Sequence, residues 1–307
     1  MSKKDLALTP IQKALQIDLD DDIYGSLVEI GAGQEVSRQF FRAGSASGTI
    51  AKTMSAYDKD FSDAIYGKED DGRYVSESRL QNMLNHEYEL LENRLQREEH
   101  PNRKYFAFAD TITTINYDRT NKGHGWLGVR FQHNPDSQPN NIILHVNLHD
   151  QEASIQQESI GILGTNLLYA CFYCKSEKEI LSQLYDNLSR KNIDVDMIKF
   201  TGPDFKDVDN RLLSLTLVKE GMTDSVIFTP DGMTRQASDV VHKKNILTLR
   251  GSFRPVTKVN IDMLENGLYR FSKDPKVKKE NIQLIFEITL SNLKAEGEVD
   301  EQDFLDR

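Results

Sequence analysis

The segment 246–264, Ile-Leu-Thr-Leu-Arg-Gly-Ser-Phe-Arg-Pro-Val-Thr-Lys-Val-Asn-Ile-Asp-Met-Leu, limits the fold more than any other part of the 307-residue chain. Its first four residues form a short apolar run of strand character, Gly251 marks a turn, and Pro255 keeps the backbone extended ahead of Thr257, a helix N-cap. Further apolar runs at 197–200, 225–229 and 283–288 alternate with helical patterns over 209–220 and 259–272. This alternation predicts a Rossmann-like, largely parallel sheet over 193–307 with 246–249 as an internal strand. Ligands of such sheets bind at the carboxyl ends of strands, where Gly251 would lie.

The preceding residues follow a different rhythm. Residues 24–31 form a strand closed by Gly31-Ala32-Gly33, and the rest of 1–103 is expected to be mainly helical. Leu80, Met83, Leu84, Tyr88, Leu91 and Leu95 recur at three- and four-residue spacing and predict an amphipathic helix over 77–98, which ends before Pro101. Strands are expected at 105–117, 125–132 and 142–148. The Gly, Asn and Pro between them favour short antiparallel connections, and helices should follow over 152–191. The predicted class is α/β, with a mixed N-terminal region containing antiparallel strands followed by a Rossmann-like domain. The domains are placed at 1–103, 104–192 and 193–307.

Composition narrows the function classes. A hydrophobic fraction of 38% and a charged fraction of 28% describe an ordinary globular chain, and a net charge of −10 argues against bulk binding of nucleic acid or an anionic membrane. The N-terminus, Met-Ser-Lys-Lys-Asp-Leu, lacks the apolar run of a secretory signal, and no segment approaches about 20 apolar residues, so a cytoplasmic location is expected. Cys171 and Cys174 end an apolar run and are expected to be core residues.

Against that acidic background Lys243, Lys244, Arg250, Arg254 and Lys258 form a stretch without acids. With backbone donors from Gly251 and Ser252, and with Thr257 and Asn260 orienting oxygens, Arg250, Arg254 and Lys258 make a candidate phosphate or nucleotide site. Three weaker candidates stand beside it. Glu29-Ile-Gly-Ala-Gly33 is similar to the glycine motif of S-adenosylmethionine-dependent methyltransferases. His145 and His149, joined by His124 or His133, suggest a divalent metal. Asp58, Asp60, Asp63, Asp204, Asp207 and Asp209 could hold magnesium or cap helices.

Gly251, Ser252, Phe253, Pro255 and Thr257 resemble the Gly-Ser-Phe-Asn-Pro-x-Thr opening of the nicotinate-mononucleotide adenylyltransferases, members of the HxGH nucleotidyltransferase superfamily. Longer segments at 29–36, 51–59, 122–131, 161–167 and 286–293 resemble a bacterial family, frequent in Bacteroidetes, labelled nicotinate-nucleotide adenylyltransferase. The resemblance implies a Rossmann-like fold, a role in NAD metabolism, a nucleotide or phosphorylated metabolite as ligand, and ATP with magnesium as cofactors. This chain has Val259 and Asn260 where the signature has glycine and its second histidine. Loss of one preorganised donor typically costs about 10²–10³ in rate, so weak or absent adenylyl transfer is expected. The competing class is a non-catalytic interaction or assembly protein. Arg307 falls within an expected helix over 298–307, so a fragment of a longer protein is also expected.

Overall fold

The computed structural model describes residues 7–307 except 70, 71, 96 and 296. The N-terminal segment 1–6, on which the absence of a signal was argued, lies outside the described residues. The chain divides into two compact units between Val208 and Asp209.

In the first unit, α1 (Pro10–Asp18) begins at a capping box in which the Thr9 hydroxyl accepts from Gln12 N and the Gln12 side chain accepts from Thr9 N. It is followed by β1 (Ile23–Ile30), α2 (Glu35–Ala43), β2 (Ile50–Met54), α3 (Lys59–Tyr66), α4 (Glu77–Arg94), β3 (Lys104–Thr113), β4 (Gly123–Phe131), β5 (Asn140–Leu148), α5 (Ala153–Tyr173), α6 (Glu177–Leu184) and β6 (Ile193–Thr201). The six strands form one mixed sheet in the order β2-β1-β3-β4-β5-β6. β1 pairs in parallel with both β2 and β3, and β3 to β6 pair antiparallel.

Side-chain alternation divides this sheet between two helical layers. On one face Val28, Ala109, Trp126, Ile143 and Met197 pack under Leu80, Met83 and Leu84 of α4. On the other lie α2 and α5. A Cβ at Gly164 of α5 would meet Val36 at 2.4 Å and the Phe108 ring at 2.9 Å, so glycine is what lets α5 approach.

The α/β class, the antiparallel β3-β4-β5 meander and the amphipathic helix agree with the expectations from sequence. The boundaries differ, because one sheet runs across both 103/104 and 192/193. β6 was assigned to the parallel domain, yet it pairs antiparallel with β5. An apolar run fixes that a strand is buried and leaves its partner open. No described helix is long and apolar enough to cross a membrane.

The second unit contains α7 (Asn210–Lys219), β7 (Ile227–Phe228), β8 (Thr234–Arg235), α8 (Ala237–Val241), β9 (Asn245–Arg250), α9 (Lys258–Phe271), β10 (Ile282–Glu287), α10 (Leu290–Leu293) and α11 (Glu301–Asp306). β9 and β10 are parallel neighbours joined through α9, from Ile246 opposite Gln283 to Arg250 opposite Glu287. The strand–turn–helix reading of 246–264 therefore holds, but the internal position of β9 does not. β9 has one partner among the described residues and alternates between half-buried and exposed, Ile246 being 39% exposed. Leu247 lies against Gly267 of α9, so the apolar residues serve one covered face. The run at 225–229 also differs: β7 and β8 form a two-residue antiparallel ladder closed by the turn at Gly232.

Candidate functional site

The turn at Gly251 is held together by its own residues. Thr257 caps α9 by accepting from Asn260 N at 3.3 Å, while Asn260 Oδ1 accepts from Thr257 N at 2.8 Å and from its hydroxyl at 2.7 Å. Asn260 thus closes a capping box, the role its side chain suits at the third helical position. Gly251 N donates to Glu287 O at 3.1 Å. Arg250 forms a two-point pair with Glu287, at 2.9 and 3.1 Å. Arg254 Nε lies 2.6 Å from Asp303 Oδ1, and Arg307 pairs with the other Asp303 oxygen at 2.5 Å and donates to Ser252 O at 3.0 Å. Lys258 is exposed at the helix start. A groove of about 520 Å³ beside the turn is lined by Ser252, Arg254 and Arg307 but also by Glu298, Asp300 and Asp303. The predicted residues are brought together, with Arg250, Arg254, Gly251 and Asn260 all engaged by partners within this unit.

The glycine turn after β1 is likewise internally satisfied. Glu29 is fully buried and accepts from Val36 N, Ser37 N and the Ser37 hydroxyl at 2.9, 2.8 and 2.6 Å, so its carboxylate occupies the start of α2 where an anionic ligand would sit. Gly33 N donates to the Tyr57 hydroxyl, and Ser55 donates to Glu29 O. A Cβ at Gly31 would come within 1.7 Å of Ile112 O. The turn is a close crossing of backbone over β3, and no methyl-donor site is built on it.

The histidines separate into three groups. His133 bridges Asp204, at 2.7 Å, and Cys171 O, at 2.9 Å. His149 lies 3.5 Å from Asp194. His124 and His145, on adjacent strands, do meet, with 3.3 Å between Nδ1 and Nε2. His145 is 1% exposed, its Nδ1 lies 2.5 Å from Asp196 Oδ1, and Trp126 packs edge-on against its ring at 4.9 Å. Asn147 donates to the second Asp196 oxygen at 3.0 Å. A register shift in the β5–β6 pairing at His145 and Val146 brings Asp196 to this face.

The Asp196 carboxylate can only accept, so His145 carries a hydrogen on Nδ1; when its ring is neutral, Nε2 accepts and His124 donates from Nδ1. The sequence reading named both histidines but missed Asp196. Its signal was present in Ile193-Asp-Val-Asp-Met197, where two acids interrupt an apolar strand.

Four of the six acidic candidates have structural partners. Asp58 and Asp209 cap α3 and α7, Asp63 accepts from Arg79 and Tyr74, and Asp204 accepts from Asn140. Among the described residues no group of three or more His, Cys, Asp or Glu is placed to hold a metal ion. Burial pushes the Cys171 thiol well up and Cys174 up to about 11, so neither provides a thiolate near neutral pH.

No protein-family model and no curated protein matches the chain. Three solved structures are similar to part of it. The competence/damage-inducible protein CihA from Agrobacterium tumefaciens shares 17% identity at a TM-score of 0.38, over 55% of this chain and 98% of its own. A competence-damaged protein (CinA) superfamily member from Enterobacter cloacae shares 13% at 0.39, over 56% and 98%. A competence or damage-inducible protein from Enterobacter asburiae shares 12% at 0.36, over 53% and 98%. Scores at this level carry no functional assignment. They do correct the adenylyltransferase resemblance: these neighbours are competence/damage-inducible proteins, and the likeness at Gly251 extends to a capped helix start without a family match behind it.

Proposed function

We propose that the first unit transfers protons on a small polar metabolite at the end of its sheet where β4 begins, with His124 meeting the substrate and His145 and Asp196 aligned behind it. The observation that carries this reading is the line from Asp196 through His145 to His124, with steps of 2.5 and 3.3 Å. With His124 donating from Nδ1, the basic nitrogen of its neutral ring is Nε2. A proton taken there creates an imidazolium stabilised through the hydrogen-bonded chain. Such positioned acid–base groups typically contribute about 10²–10⁴ in rate. Thr113, at the carboxyl end of β3, stands opposite His124, so the chain lies at the end of the sheet where the hairpin from β3 to β4 turns.

Nitrogen-15 NMR of the imidazoles tests this reading. Both rings are expected to carry hydrogen on Nδ1. In Asp196→Asn, an amide presented to His145 should move the hydrogen to Nε2 in both rings. A parent His124 protonated on Nε2, or a variant in which neither ring changes, would overturn the chain. Zinc shifting both rings together at stoichiometric binding would replace it with a metal site between the two nitrogens.

A second reading keeps a phosphorylated ligand at the turn in the second unit, using Arg250, Gly251, Ser252, Arg254, Thr257, Lys258 and Asn260. It is favoured by the start of α9 at Lys258, directly after the turn. It requires a phosphate to displace Asp303 from Arg254 and Arg307.

A further inference from the structure

Glu29 and Asp110 face each other in register across β1 and β3, and both side chains have zero exposure. Their environments differ. Glu29 accepts three hydrogen bonds at the start of α2, enough to hold a buried negative charge. Asp110 accepts one, from Ile30 N at 3.0 Å, and its second oxygen has no partner among the described residues. Among the described residues no cation acts on either carboxyl group. Leu127 stands opposite Asp110 on β4, and the buried residues of α5 are uncharged. From α2, Glu35 adds a further negative charge that acts on Glu29. His124 and His145 belong to the ladder rows of Thr113 and Thr111, which alternate to the other face.

We propose that Glu29 and Asp110 together hold a single negative charge in the folded domain, Glu29 ionised and Asp110 neutral, and that the second ionisation loosens the seam between β1 and β3 at the strand ends. An uncompensated buried carboxylate is far more costly than a neutral acid. A second charge next to Glu29 adds repulsion in a low-dielectric interior. Burial and then the Glu29 charge push the Asp110 carboxyl well up, opposed only by the Ile30 amide. The seam is the backbone crossing fixed at Gly31, so its loosening would reach the strand ends where Thr113 stands opposite His124.

Folded Asp110 binds its proton more tightly than an unfolded aspartate. Its contribution to stability is therefore full at acid pH and is lost as pH rises. Asp110→Asn retains the shape of the neutral acid and cannot ionise. The ratio of unfolding constants, parent over variant, is expected to rise by up to about tenfold per pH unit above pH 4 until Asp110 ionises in the fold. Ile30 amide exchange, corrected for intrinsic rate, should accelerate with pH in the parent alone.

A ratio constant from about pH 4 to 9 would overturn the proposal, as would a loosened Ile30 in both proteins. Carboxyl carbon-13 NMR of the parent decides the matter if the variant does not fold. Asp110 should keep its neutral-acid shift at about pH 7, and titration near the ordinary aspartate value of about 4 would overturn the proposal.

Discussion

Asp196 reaches His145 Nδ1 at 2.5 Å because β6 has one residue too many at that point. Met197 stands opposite His145 and Val195 opposite Val146, leaving Asp196 between two consecutive pairs. In regular pairing Asp196 would face Val146 and point to the other side of the sheet. The bulge therefore creates the contact, and Asn147 holds the other carboxylate oxygen.

That support should be measurable. Asn147→Ala removes a hydrogen bond to a charged group and should destabilise the domain by about 1.5–3 kcal/mol. His149→Ala, at an ion-pair position with a side chain 42% exposed, should change stability by no more than about 0.5 kcal/mol. Urea unfolding of the two variants checks the contrast. Equal effects would mean that Asn147 does not hold the carboxylate.

The contrast also marks what could be seen in the sequence. The β3-β4-β5 meander was visible because its strands alternate and its turns contain Gly, Asn and Pro. The capped start of α9 was visible because Thr257 and Pro255 have local conformational preferences. Partner choice was not visible: β6 looks as suitable for a parallel interior as for an antiparallel edge. His124 and His145 could be named as chemically capable, but their link to Asp196 depends on a bulge with no glycine or proline to announce it. At Gly251 the local geometry was read correctly and its neighbours were not, since Asp303 and Glu287 come from later elements.

Gly31→Ala should be severely destabilising, by more than about 3 kcal/mol, because a left-handed backbone and a clash with the Ile112 carbonyl act together. Gly44 provides the control. Its φ of 92° is similarly left-handed, but an added Cβ would meet nothing within 4 Å. Gly44→Ala should cost only backbone strain, roughly 1–2 kcal/mol. Thermal and urea denaturation of both proteins test the difference. A mild Gly31 variant would show that β1 and β3 can separate at this crossing without loss of the fold.

Asp18 ends α1 with neither carboxylate oxygen partnered among the described residues, and burial pushes its carboxyl up to about 7. A raised folded value means that stability present below the unfolded value of about 4 is lost as pH rises toward 7. Asp18→Asn should match the parent near pH 4 and become progressively more stable above it, with the difference levelling off beyond about pH 7. Denaturation midpoints at four or five pH values test this. A variant less stable than the parent at pH 8 would mean that the charged form of Asp18 is held by the fold.

The turn in the second unit supplies the last test, because the acid that pairs with its arginines is identifiable. Asp303 engages Arg254 and Arg307 with separate oxygens, so an anion entering the turn competes with a carboxylate already in place. Asp303→Asn keeps the side-chain shape and removes the competing charge. If the turn receives phosphate groups, ADP affinity should increase by about three- to tenfold in this variant. It should be lost in an Arg254→Ala, Lys258→Ala double variant and weaken with added salt, as binding by exposed charges does. Isothermal titration of the three correctly folded proteins gives the answer. Equal ADP affinity in all three would place the nucleotide elsewhere, and no measurable affinity in any would leave the capped turn a structural element of an interaction domain.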